Sequence, residues 1–230
     1  MVTDKIRLNK HLALQLGISR READELINAG DVLVNGSFAS LGERVSNEDK
    51  ITVKGKQISG SRTLQYIALN KPVGYVCSRK RQGDTPTIYE LLPQELHHLK
   101  PVGRLDKDSS GLLLLTNDGD FAHKMTHPSF HKTKTYEITL DNDLAPLHQQ
   151  MIDDHGVELE DGISQLNLSR LSEKNRKEWQ VSMHEGRNRQ IRRTFEALGY
   201  NVKKLHRITF GVYSFAKEQL DTGQHSILQI

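Results

Sequence analysis

The chain has 230 residues, 36% of them hydrophobic and 27% charged, with a net charge of +3. That length suits one large domain or two small ones. No apolar run approaches the roughly 18 residues needed to cross a membrane, the polar start MVTDKIRLNK is not a signal peptide, and the single cysteine, Cys77, excludes an intrachain disulfide framework and a cysteine metal cage. A cytoplasmic protein is expected.

Residues 1–60 read as one small α+β unit. Leu8, Leu12 and Leu16 make a helical stripe that Gly17 ends. Ser19 and Glu22 form a capping box for a second helix with Ala23, Leu26 and Ile27 on its buried face, and Gly30 stops it. The strand Val32-Leu33-Val34, the turn Asn35-Gly36 and the strand Ile51-Thr52-Val53 give a small hairpin sheet. Arg7, Lys10, Arg20 and Arg21 lie off the apolar stripe at helix ends, where arginines suit phosphates as readily as plain solvent.

GKQISGSRT, residues 55–63, reads as a linker. Residues 61–230 then form the second domain, an α+β domain with a mixed or antiparallel sheet. YIALNKP is a strand closed by Pro72, and GYVCS continues it after a kink. TIYELLPQEL is a short helix broken by Pro93. LLLLT is a strand buried on both faces. NDGDFAHKMTHP is a helix capped by Asp118, and KTYEITL alternates with period two. LAPLHQQMID is helical, ISQLNLSRL pairs with WQVSMHEG, NRQIRRTFEALG is a helix with Ile191, Phe195 and Leu198 on one face, and VKKLHRITFG is a final strand.

Charge is uneven along the chain. Residues 170–207 hold eleven Lys and Arg against four acids. Several lie in the compact run GRNRQIRR, and such a concentration suggests a patch that faces a polyanion.

GRLDKDSSGLLLLTNDGD holds four aspartates. Asp106-Lys-Asp108-Ser-Ser110-Gly111 imitates the start of a calcium loop, but Asn117 stands where a bidentate Glu is required, and a strand follows instead of a helix. His123 and His127 are four apart without a third zinc ligand. Asp106 and Asp108 alternate along extended chain and point apart, so they do not flank one bond. Asp118 and Asp120 suit a turn and a helix cap, and no phosphate-binding glycine loop is present. What remains is Asp106 beside Arg104 on a turn led by Gly103. Taken alone, Asp106 is equally a turn residue, Tyr136 a half-buried strand tyrosine and Arg192 a surface helix arginine.

Taken together, these stretches resemble a known family. GRLDKDSSGLLLLTNDGD is similar to the catalytic motif of the RsuA-type pseudouridine synthases. That group joins the A-type enzymes of the small ribosomal subunit with the B-, E- and F-type enzymes of the large one. LNKPVGYVCS, KTYEITL, EGRNRQIRRTFEALGY and VKKLHRI resemble its other motifs, in family order. RLNKHLALQLGISRREADELINAGDVLVNG resembles an S4 RNA-binding module. RRTF carries Thr194 where relatives often have Met.

The resemblance implies an S4-like module, residues 1–60, ahead of a catalytic domain, residues 61–230. The implied activity isomerises a uridine of ribosomal RNA, with 23S rRNA favoured and 16S rRNA the alternative. Asp106 attacks C1′ or otherwise assists cleavage of the glycosidic bond. Tyr136 packs on the base and takes the C5 proton. Arg192 pairs with the aspartate, and Arg104 helps hold the base flipped out. Arg187, Arg189 and Arg207 join the S4 basic residues in holding RNA. No cofactor or metal is required, the partners are rRNA and pre-ribosomal particles, and the protein is a monomer. Two competing readings are a non-catalytic RNA-binding or ribosome-assembly protein and a metal-dependent phosphodiesterase.

Overall fold

Helix α1 (Leu8–Leu16) opens the first of two units, Met1–Gln65 and Tyr66–Ile230, in a computed structural model that describes residues 5–58, 63–215 and 220–230. Leu8 and Leu12 are buried as their spacing predicts, while Leu16 is 36% exposed where Gly17, at φ 72°, ends the helix. Helix α2 (Arg20–Asn28) carries the expected capping box. Ser19 Oγ accepts from the Glu22 N–H at 3.1 Å, and Glu22 Oε2 accepts from the Ser19 N–H at 2.6 Å. Ala23 and Ile27 join Leu8 and Leu12 over the strands β1 (Val32–Val34), β2 (Ser37–Phe38) and β3 (Ile51–Val53).

Asn35 and Gly36 both have positive φ, 53° and 87°, as the tight hairpin between β1 and β2 requires. Lys54 and Gly55, at 49° and 75°, make a second such turn into β4 (Lys56–Ile58), which pairs with β3. The linker expectation is corrected over these residues, because a positive-φ dipeptide in a polar run marks a hairpin as well as a loop. Residues 59–62 of the expected linker lie outside the described residues.

The second unit is built on one sheet. In chain order its elements are β5 (Tyr66–Lys71), β6 (Ser110–Thr116), α3 (Gly119–Thr126), β7 (Lys134–Leu140), α4 (Pro146–Gln150), β8 (Asn167–Arg170), β9 (Glu178–Met183), α5 (Gln190–Glu196), β10 (Val202–Phe210) and β11 (His225–Ile227). The spatial order is β8-β9-β7-β10-β6-β5-β11, and along it only the β10–β6 pair is parallel. The sheet is thus mixed and the class α+β.

The four leucines of β6 alternate between two cores. Leu113 and Leu115 join Ile138, Trp179 and Phe195 on one face, while Leu112 and Leu114 join Met125 and Phe210 on the other. A strand covered on both faces reads as a continuous apolar run. Each of these side chains contributes roughly 1.5–3 kcal/mol on burial. Asp118 caps α3, its Oδ1 accepting from the Asp120 and Phe121 N–H groups, while its Oδ2 accepts from the Tyr66 hydroxyl at 2.9 Å. Burial first, and then that carboxylate, push the Tyr66 phenol up to about 12.

Several expectations are corrected. GYVCS is not a strand; Val76 makes one isolated bridge to Thr87 after Gly74 turns at φ 92°. TIYELLPQEL forms two 3-10 turns, Ile88–Leu91 and Gln94–Leu96, because Pro93 cannot donate between them. Ile163 belongs to a separate hairpin, Val157–Leu159 with Gly162–Ser164, so only Asn167–Arg170 pairs with β9. Strand β11, three residues long, has too few positions to show a period. No helix among the described residues is long and apolar enough to cross a membrane.

The parallel pair depends on Gly111. Its φ is 111°, and a Cβ there would stand 2.3 Å from the Arg207 carbonyl oxygen and 2.5 Å from its nitrogen. Gly111→Ala is therefore expected to destabilise the second unit by at least about 3 kcal/mol through overlap and backbone strain. Chemical denaturation checks this, and a change under about 1 kcal/mol contradicts it.

Candidate active site

The loop that carries Asp106 lies between Gly103, at φ 71°, and the start of β6. Lys71, at the end of β5, is wholly buried beneath it. Its ammonium donates to three carbonyls: Pro72 at 3.0 Å, Asp106 at 3.0 Å and Ser109 at 2.7 Å. Burial holds the Lys71 pKa below its ordinary value, against the upward pull of Cys77, Asp106 and Asp108. Further bonds fasten the same loop to the segment after β5. The Gly74 N–H donates to Lys107 O at 2.7 Å, and the Leu105 N–H meets Cys77 Sγ at 3.5 Å. Asp106 is thus fixed through its main chain, while its carboxylate makes no hydrogen bond to another described residue.

Asp106 belongs to the wall of a cavity of about 490 Å³, shared with Arg104, Lys134, Tyr136, Arg207 and Phe210. Tyr136 is buried in β7, opposite Arg207 of β10 and Val181 of β9. Lys134 shares the Tyr136 face two residues earlier. Its Nζ donates to the carbonyls of His184 and Glu185 and lies 5.5 Å from the Phe210 ring centre. Burial, and then Arg207, hold its pKa down.

Helix α5 grips the other aspartate of the loop. Arg189, at φ 48° before the helix, places Nη1 and Nη2 at 3.0 and 3.1 Å from the two oxygens of Asp108. Arg192 sets Nε 3.2 Å from Asp108 Oδ2 and donates to Asp108 O at 2.8 Å and Val202 O at 2.6 Å. Burial opposes ionisation of Asp108, yet the two guanidiniums keep its pKa below 3.8.

The expected partner of Arg192 is therefore corrected. Its guanidinium meets Asp108, not Asp106, because α5 packs against the far end of the loop. Arg187, expected as an RNA contact, lines the cavity and donates to Asp161, Gly162 O and Ile163 O, while Arg193 clasps the same Asp161, so both fasten the Gly162–Ser164 strand to the start of α5. Arg207, expected as an RNA contact, is 2% exposed and lies inside the cavity wall. Arg104 is exposed at the cavity edge.

In the first unit Arg7, Arg20 and Arg21 are exposed and Lys10 is half-buried; Arg20 also donates to Asn9 Oδ1 at 3.2 Å. Sequence reasoning did not reach Lys71 or Lys134 as site residues. For Lys134 the signal was its place two residues before Tyr136 on a strand. Lys71 stood in plain view ahead of Pro72, but nothing in its surroundings marks a lysine as interior.

The Asp108 contacts give a pH test. Asp108→Asn is expected to cost at most about 1 kcal/mol, since exposure screens the pair, the Asp108 side chain being 46% exposed. With the folded pKa below 3.8, the wild-type advantage is complete above the unfolded value and fades as pH falls through the folded one. Denaturation curves between about pH 2 and pH 7 check this, and an advantage that grows toward acid contradicts it.

Comparison with known proteins follows the same division of the chain. Residues 65–197 match the family model described as RNA pseudouridylate synthase, and residues 6–51 match the S4 domain. The chain is 37% identical over 206 residues to ribosomal large subunit pseudouridine synthase B of Bacillus subtilis (strain 168), covering 87% of this chain and 84% of that one. It is 37% identical over 208 residues to ribosomal small subunit pseudouridine synthase A of Pasteurella multocida (strain Pm70), covering 90% and 89%. A crystal structure of a pseudouridylate synthase superposes with a TM-score of 0.69 at 32% identity, covering 97% of this chain and 96% of that one. With Asp106, Tyr136 and Arg192 all standing in the matched segment, the chain belongs to the RNA pseudouridylate synthase family and carries an N-terminal S4 domain.

Proposed function

We propose that this enzyme isomerises a specific uridine of ribosomal RNA to pseudouridine, with Asp106 as its catalytic carboxylate. One observation carries the assignment: the Lys71 ammonium pins the Asp106 main chain at the cavity and leaves the carboxylate free there with Tyr136. The relatives named for the large and small ribosomal subunits support rRNA as the substrate class; within it we keep 23S rRNA as the favoured substrate and 16S rRNA as the alternative. The protein acts as a monomer, on free rRNA or on assembling particles.

The target uridine leaves its stack, at a cost of a few kcal/mol offset by packing on an aromatic ring. Tyr136 supplies that ring and Arg104 at the rim keeps the base out. Asp106 attacks C1′ as the bond to N1 breaks, and the electron pair stays with the uracil. The base turns, C5 bonds to C1′ and the carboxylate leaves. Tyr136 takes the C5 proton as its own hydroxyl proton passes to solvent, and N1 takes up a proton from solvent, which leaves the ring neutral. Nothing is oxidised or lost, so one carboxylate suffices. Arg192 acts through Asp108 by holding the loop. Arg7, Lys10, Arg20 and Arg21 of the S4 domain anchor the RNA through phosphates.

Pseudouridine mapping of both rRNAs, from cells with and without this protein, tests the reading. A uridine that is modified only when the protein is present is the expected result. Identical maps of both rRNAs overturn it.

A further inference from the structure

Arg207 is an unusual occupant of a cavity wall. It is 2% exposed, and the only hydrogen bond of its side chain among the described residues runs from Nε to Leu112 O at 2.7 Å. The guanidinium sits 4.8 Å from the Phe210 ring centre, and Nη2 is buried with no partner among the described residues. Burying an unpaired cation costs several kcal/mol, and a donor left unpaired in a built site calls for a ligand.

Its place in the sheet says which ligand. Tyr136 and Arg207 are paired on neighbouring antiparallel strands, beside a register shift between Thr135 and Tyr136, and both line the cavity. A pyrimidine packed on Tyr136 therefore has its edge beside the guanidinium. Lys134 lines the same wall, and its ammonium has three donors, two of them directed at the His184 and Glu185 carbonyls. A floor made of donors accepts the two carbonyl oxygens of uracil and repels the amino group that cytosine carries at C4.

Resting on the reading that uridine enters this cavity, we propose that Arg207 is a further catalytic residue that donates to a carbonyl oxygen of the flipped uracil. When the bond from N1 to C1′ breaks, both of its electrons go to the base, and the charge spreads onto the ring carbonyls. A fixed cation there stabilises that charge where it develops. The ring becomes neutral when C5 bonds to C1′, carries the charge again when C5 loses its proton, and is neutral in the product once N1 takes up a proton from solvent. The Nε bond to Leu112 O and the Phe210 ring preset the fork, so little rearrangement is needed.

The test uses short RNAs that carry the mapped uridine, or 2-thiouridine or 4-thiouridine in its place, because sulfur accepts hydrogen bonds poorly. Single-turnover rates are compared for the wild type and Arg207→Met, with melting temperatures recorded for both. The wild type is expected to slow on one thio-RNA, and the variant to be slower on uridine RNA by about 10- to 100-fold, the range for a hydrogen bond to a charged group. The variant should no longer distinguish that thio-RNA from uridine RNA, an effect that a purely structural role does not produce. Full discrimination retained by the variant overturns the proposal, as does a wild type indifferent to both thio-RNAs. If Arg207→Met does not fold, Arg207→Lys, which keeps a cation but not the fork, enters the same comparison with the same criteria. A wild type that forms no pseudouridine in either rRNA removes the parent reading, and the wild-type arm alone shows it.

Discussion

The site depends on one buried ammonium. Lys71 lies under the loop between Gly103 and β6 and is held by three main-chain carbonyls, two of them from that loop. A lone ammonium in a protein interior is costly, and charge-assisted hydrogen bonds to oriented carbonyls are the strong kind that offset the cost. The arrangement fixes where Asp106 stands without touching its carboxylate. A direct ion pair would hold the acid more tightly but would occupy its carboxylate oxygens.

A second layer of charge works from the opposite side. Arg189 and Arg192 seize Asp108, and Arg187 and Arg193 seize Asp161. The cations of GRNRQIRR thus connect the start of α5 to the Asp106 loop and to the Gly162–Ser164 strand. Each exposed pair contributes little to stability; together they position the two margins of one cavity. The basic run that suggests a polyanion surface is in good part internal wiring.

Much of the fold was legible because local rules and tertiary packing agreed. Ser19 with Glu22, Asp118 ahead of α3, and the leucine run of β6 each carry their explanation within a few residues. Spacing sets Asp106 apart from Asp108, and Asp118 does cap α3, but the role of Asp106 is implied by the family resemblance and not by its spacing. What stayed hidden was long-range. No local pattern shows that Lys71 and Arg207 are interior, since long cations are usually solvated. Helix periodicity places Arg192 off the apolar face but does not say that Asp108, 84 residues away, receives it. Gly111 likewise looks like an ordinary loop glycine until the Arg207 backbone is brought against it.

The central claim is that a single free carboxylate, Asp106, performs the chemistry on a base bound beside it. Tritium release from rRNA labelled at uridine C5, measured in one turnover with Asp106→Asn beside the wild type, tests this most directly. The account predicts that the variant binds the RNA as the wild type does and releases no tritium. Release at the wild-type rate would contradict it.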